Sequence, residues 1–423
     1  MIRKGSFYRM IYPAMLLCCF TVTFPVVFKV FSLLFLFIAL SGSFNFKQTK
    51  ELICNKTTFS FFNPLFVLMF FYVLYCLGMI YTSDIQYGLF DLQIKLVMFL
   101  LPFLLLFVPK ELWSKEKMWC YAKVFIAGLL IIMVYLITIG FVKAFSGDKF
   151  NITPLTYSSL AGGIAAGPTY LAFAINIAII LIFKMPLSNK LTLKQSRAVK
   201  TVVIGFLTLF FMFMNSRTGL LGFVVVNMVM LIDSFLNRRK YLLLVLVLYQ
   251  ISVGIVFTNI SLLNRRFTFT TTIDRTGKDG GAAVSAQERA VYYTQYPKML
   301  VKNLPFGTGT GDTKHDIMTF VDKENIVFSR YNHSNVQHYL NAHNQFLQTG
   351  IAIGLLGLAT LIWLHLLFVI KFCNKKQWWL ITLIAVCGIS LMFESMLERQ
   401  QGVYYFAYLI CFLSPLIHRK ANH

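Results

Sequence analysis

The chain has 423 residues, 57% of them hydrophobic and 13% charged, with a mean hydropathy of +0.69. Soluble domains carry roughly 25% charged residues, so this composition excludes a soluble globular enzyme and describes an all-α polytopic membrane protein. The formal net charge is +23, but Lys and Arg punctuate apolar runs instead of collecting in one soluble domain, which is the pattern of topology signals and contact with anionic membrane lipids and gives no reason to expect a nucleic-acid partner.

A membrane helix needs about 20 mostly apolar residues. On that measure about twelve candidate spans follow one another, centred near residues 16, 33, 71, 99, 129, 176, 207, 226, 249, 358, 385 and 409. A turn near Pro25 divides the first two, and NSRTG, residues 215–219, divides the seventh and eighth. Three regions result: 1–258 with nine spans, a polar segment 259–344, and 345–423 with the last three. The N-terminal apolar region continues into further spans, so no cleavable signal peptide is expected. None of the eight cysteines lies in the polar segment, which therefore has no disulfide framework and no thiolate metal site.

With the N-terminus in the cytoplasm, alternate loops facing inward hold the basic residues. They are Arg3, Lys4 and Arg9; Lys47, Lys50 and Lys56; Lys110, Lys115 and Lys117; and Lys190, Lys194, Arg197 and Lys200. Further along come Arg238, Arg239 and Lys240; Lys371, Lys375 and Lys376; and Arg419 and Lys420. The short outward loops hold few: Lys95, Lys143, Lys149, Arg217 and Arg399. Both termini are then cytoplasmic and segment 259–344 lies outside, in the periplasm of a bacterium with two membranes. That compartment lacks ATP, so a bond made there needs a donor already activated.

Within the polar segment, DRTGKDGG reads as a flexible loop. Ser285 and Glu288 have the spacing of a capping box that opens a helix, with Arg289 in its first turn. Pro297 should kink this helix and NLPFG should end it. GTGTGD, 307–312, is a tight turn. Glycine-rich turns can cradle phosphates, but no clear strand precedes this one, so a turn that lets helices pack closely is the favoured reading. A minor role in holding a lipid diphosphate stays open. KHDIMTFVDK reads as a short helix, and SRYNHSNVQHYLNAH leads into the tenth span.

Three residues stand out chemically. Arg217 sits in NSRTG between two apolar runs, on the side where positive charge is disfavoured; arginine at membrane depth costs about 2.5–3.5 kcal/mol and tends to be functional. A plain topology arginine is the simpler alternative. Arg289 alone reads as solvated surface. His343 stands at the start of the tenth span, where the positive end of the helix dipole favours neutral imidazole, the form a general base needs. A polar neighbour of a helix cap is the alternative, and His338 is the second candidate base. Between the last two spans, Glu394, Glu398 and Arg399 read first as an interfacial ion pair, with either acid as an acceptor-positioning group or a base in the alternative. Asp91 and Lys95 have i,i+4 spacing and should pair.

Taken together, these motifs resemble the O-antigen ligase family, whose relatives include O-antigen polymerases and bacterial O-linked oligosaccharyltransferases. The matching elements are Asn215-Ser216-Arg217-Thr218-Gly219 between two spans, then a late outer segment with Arg289 on a helix and the Gly307/Gly309 turn. The third is His343, Asn344 and Gly354, in the pattern His-Asn-x9-Gly at the next span. The resemblance implies a GT-C-like membrane fold in the bacterial inner membrane. It implies transfer of a glycan from undecaprenyl diphosphate to an acceptor hydroxyl, lipid A–core for a ligase. It gives His343 the role of base and Arg217 and Arg289 the diphosphate, with Asn344, His338 and Glu398 as further substrate-binding candidates. Arginine suits bidentate phosphate binding. No metal and no cofactor are expected, since two arginines can do the electrostatic work. A single displacement would invert the anomeric centre.

Two readings remain beside the ligase. A polymerase or a protein O-glycosyltransferase would use the same donor with another acceptor. A lipid-linked glycan flippase would place ionisable residues or broken helices near the bilayer midplane, whereas the candidates here cluster at one face.

Overall fold

The computed structural model describes residues 2–42, 57–146, 150–162, 167–186, 192–238, 244, 246–252, 254, 281–323 and 341–418, and every regular element among them is a helix. The helices in chain order are α1 (Ile2–Thr21), α2 (Val26–Gly42), α3 (Pro64–Gly78), α4 (Ile85–Lys95) and α5 (Val97–Leu106). Next come α6 (Lys115–Ala144), α7 (Tyr157–Ala161), α8 (Pro168–Lys184), α9 (Leu193–Met214) and α10 (Arg217–Leu236). The last are α11 (Gly281–Asn303), α12 (Thr313–Lys323), α13 (Gln345–Asn374), α14 (Trp378–Phe393) and α15 (Gln400–His418).

Among the described residues, six stretches are long and apolar enough to cross a membrane: Pro64–Tyr81, Ile85–Leu106, Lys115–Ala144, Leu193–Met214, Arg217–Leu236 and Gln345–Asn374. Arg9–Thr21, Val26–Gly42, Pro168–Lys184 and Trp378–Phe393 are shorter apolar helices. Each expected centre falls in a helix; the one near 249 does so in a partly described stretch, of which 246–252 is helical. Local sequence sets the starts. Asn63, with Pro64 behind it, caps α3; Asp84 caps α4; Thr192 and Gln195 form a capping box on α9; and Ser216 caps α10. Only Asn215 and Ser216 separate α9 from α10, and Asn215 makes the turn at φ +44°.

At one end of the bundle the basic side chains gather. Lys184 pairs with Asp233 at 2.5 Å, Lys200 donates to the Met185 carbonyl, and Lys375 donates to the Leu416 and Ile417 carbonyls. The turns 79–84, 303–312, 341–344 and 394–399 lie at the other end, where hydrogen bonds join 79–84 to 303–312 and Leu397 to Gln345, and His343 stands 3.7 Å from Glu394. There a small second core of Tyr292, Tyr296, Met299, Ile317, Val321 and Ile351 packs α11 and α12 onto the start of α13. Helix α11 begins at Gly281, not at Ser285, so the expected capping box is not its start. Ala282, Ala283 and Ala286 are strong helix formers and extend the helix upstream. The helix also continues across Pro297 to Asn303.

Helix α13 is broken. Ile353 and Gly354 leave helical geometry, Gly354 at φ +68° and ψ −159°. The GTGTGD turn fills the break: Thr308 and Gly309 amides donate to the Ile351 and Ala352 carbonyls at 2.8 and 2.9 Å, and the Leu355 amide donates to the Pro305 carbonyl at 2.9 Å. A Cβ on Gly354 would stand 2.0 Å from the Pro305 carbonyl oxygen, so only glycine fits. The Asp312 carboxylate accepts from the Ser83 and Asp84 amides, both at 2.7 Å, and fixes the same turn to the start of α4.

Candidate active site

His343 lies just before the cap of α13. Asn344 caps the helix through Oδ1, which accepts from the Phe346 and Leu347 amides at 2.9 and 3.1 Å. His343 itself takes a left-handed backbone at φ +44°, held by its amide donating to Asn341 Oδ1 at 2.9 Å. This geometry turns the imidazole off the helix and onto α11. There it stacks on Tyr292, with centroids 5.2 Å apart and planes 19° from parallel. Glu394 Oε1 stands 3.7 Å from Nδ1, beyond hydrogen-bonding reach, and the histidine side chain keeps 34% of its exposure. Nδ1 is buried without a hydrogen-bond partner, which leaves Nε2 as the ring nitrogen open to a substrate.

The acidic turn after α14 is built into the bundle. Gln345 Oε1 accepts from the Leu397 amide at 2.7 Å, which ties this turn to the first residue of α13. Glu398 pairs at 3.1 Å with the fully buried Lys95, which also pairs with Asp91 and stands 4.8 Å from the Tyr75 ring centroid. The expected Asp91–Lys95 pair is therefore present, and the ion pair expected at Glu398 is made with Lys95. Two carboxylates offset the cost of burying the ammonium.

Arg217 is the first residue of α10 and half-buried. Beside it the Ser216 hydroxyl lies 3.4 Å from that of Thr169, at the start of α8. The next residue, Tyr170, packs on the turn before α15, where a Cβ on Gly402 would meet its ring at 2.9 Å. Arg217 thus stands at the same end of the bundle as His343 and the acidic turn. Arg289 lies on α11, one turn before Tyr292; its side chain is outside the described residues. His338 is also outside them. The structure thus joins His343, Glu394 and Tyr292 in one contact and Glu398 with Lys95 and Asp91 in another.

Five of the six amides of the glycine turn are occupied. Gly307 donates to Asn303, Thr308 to Ile351, Gly309 to Ala352, Thr310 to Gly78 and Gly311 to the Thr82 hydroxyl. Residues 307–311 thus spend their amides on packing the turn against α3, α11 and α13, in line with the favoured expectation. Sequence reasoning missed Tyr292 and Lys314. Lys314 on α12 stands 4.4 Å from the Tyr87 ring centroid. Burial pushes its ammonium below the usual range, while the Glu398 and Asp91 carboxylates pull it back up. Its neighbours come from α4 and from after α14, so no local spacing marks it. Among the described residues no three His, Cys, Asp or Glu side chains gather as a metal-binding set.

Residues 201–362 match the family model described as O-Antigen ligase. The match spans Arg217, Arg289, His338 and His343 and supports the family that the motifs resemble, whose members are glycosyltransferase-like ligases and polymerases. No curated protein matches the chain.

Proposed function

Taking the O-antigen ligase match over residues 201–362 as premise, we propose that the chain is an inner-membrane glycosyltransferase of O-antigen ligase type, with about twelve spans and its site facing the periplasm. It moves a glycan from undecaprenyl diphosphate to an acceptor hydroxyl, lipid A–core in a ligase. The acceptor oxygen bonds to the anomeric carbon as the bond from that carbon to the phosphate oxygen breaks. Undecaprenyl diphosphate leaves with the electron pair, and the acceptor proton goes to His343 Nε2. The observation that carries this reading is the imidazole at the start of α13, stacked on Tyr292 with Glu394 3.7 Å from its Nδ1. Arg217 and Arg289 hold the diphosphate and offset the charge that develops on it. One displacement inverts the anomeric centre without a metal.

The broken α13 bears on the flippase alternative. Transporters leave half-helix ends open to substrate or ion. Here the amides and carbonyls at the break are taken up by residues 305–309, which favours an enzyme.

The purified protein is incubated with a lipid-linked glycan and, separately, with lipid A–core, with protein, or with a second lipid-linked glycan. Consumption of lipid A–core in EDTA, with no gain from added magnesium or manganese, is the expected result. Consumption only of the second lipid-linked glycan would make the protein a polymerase, and activity lost in EDTA and restored by a divalent ion would end the metal-free mechanism.

Orientation is checked separately. Cysteines placed singly at Gly280 and Ser334, in a variant otherwise freed of cysteine, should react with an impermeant thiol reagent once the outer membrane is permeable. Reaction only after inner-membrane lysis would place the site on the wrong side.

A further inference from the structure

A cavity of about 910 Å³ opens at the end of the bundle opposite His343. It lies between the start of α6, the second half of α8, the turn joining α13 to α14, and the last turns of α15. Its size is at the upper end of the roughly 300–1,000 Å³ of ligand pockets. The inner wall is apolar and aromatic. Trp119 stacks on Trp379 with centroids 6.0 Å apart, and Trp113 meets Phe412 edge-on at 5.7 Å.

The rim is basic. Lys110, Lys115 and Lys376 line it and are exposed. Lys375 also lines it, but bonds to the Leu416 and Ile417 carbonyls at 2.8 and 2.6 Å and closes the last turn of α15. Glu111 and Glu116 are near in sequence, yet neither lines the cavity. Two helix N-termini converge at the same rim, since Ser114 caps the 30-residue α6 and Gln377 stands at the cap of the 16-residue α14. No side chain caps α14, and Gln377 Oε1 is buried without a hydrogen-bond partner. Helix N-termini and lysines both favour an anion, and basic pockets between membrane helices suit anionic lipid headgroups.

We propose that this cavity binds an anionic diacyl phospholipid. Its phosphate sits among Lys110, Lys115, Lys376 and the two helix N-termini, and its acyl chains lie along the tryptophan wall. A soluble anion would use the rim and leave the apolar wall empty, so the lipid satisfies both halves of the cavity. The site is separate from the transfer reaction, and its occupancy does not depend on the function proposed above.

The test is retention of phosphatidylglycerol against phosphatidylcholine of the same chains by the delipidated full-length protein in neutral detergent. It is read by native mass spectrometry and by thermal shift, with inorganic phosphate as a third arm. Phosphatidylglycerol alone should be retained and should raise Tm. The combined Lys110→Gln, Lys115→Gln and Lys376→Gln variant should lose affinity on the order of a hundredfold, at about fivefold per lysine. Ala122→Trp puts an indole into the cavity beside the tryptophan wall with every charge in place and should also weaken lipid retention, and it carries the test if the lysine variant fails to insert. Equal retention of the two lipids, a Tm gain from phosphate alone, or unchanged binding in a well-folded Ala122→Trp protein would overturn the proposal.

Discussion

Replacement of His343 by alanine is expected to cut glycan transfer by about 10² to 10⁴, the range that general-base assistance typically supplies, with insertion and yield unchanged. The side chain is about one-third exposed and stacks on Tyr292 from one face, so its loss opens no large cavity in the main core. The backbone at φ +44° costs alanine more than it costs glycine. A His343→Gly protein with the same transfer loss would therefore separate chemistry from strain. Glu394→Gln should lose less than His343→Ala, since Glu394 acts through the ring and leaves the base in place. Transfer assays at saturating donor, with folding followed by size-exclusion elution, decide the matter. Normal turnover in His343→Ala would move the base to His338 or Glu398.

Arg217→Ala is expected to lose about 10² to 10³ in rate, the loss seen when one preorganised donor to a developing oxyanion is removed, or roughly 2.7–4 kcal/mol. Arg289→Ala should behave likewise. Lysine at either position should rescue only in part, because an ammonium cannot form the planar fork that meets two phosphate oxygens. Ser216, not Arg217, makes the cap of α10, so the helix start should survive the alanine change. Transfer at saturating acceptor reads the rate, and donor binding reads the ground state. Wild-type turnover in Arg217→Ala would leave this residue as a topology signal.

Most of the bundle was legible because an apolar run of about 20 residues has few other uses. His343 was legible from its place, a titratable side chain where polar sequence gives way to apolar. The Asp91–Lys95 pair followed from helical spacing. What joins them to the site did not, since Lys95 and Glu398 are 303 residues apart and no local pattern connects them. Tyr292 is likewise brought to His343 by the packing of α11 on α13. The break in α13 was hidden because Gly350, Gly354 and Gly357 all read as small residues within one apolar helix, and only the approach of Pro305 singles out Gly354. The start of α11 was misplaced because a capping-box pattern also occurs inside helices when the residues before it are good helix formers.

The turn that fills the α13 break also imposes an order on biogenesis. Residues 308 and 309 leave the ribosome before residues 351–355, yet their amides find partners only on that later helix. Chains are made from the N-terminus onward, and an amide without a partner is costly away from water. The turn at 305–309 therefore stays unfinished until α13 has formed. A nascent chain halted before residue 351 would hold Arg217 and Arg289 with no competent site. A donor meeting such a chain could be bound without being cleaved, so the chemistry is withheld until the protein is nearly whole.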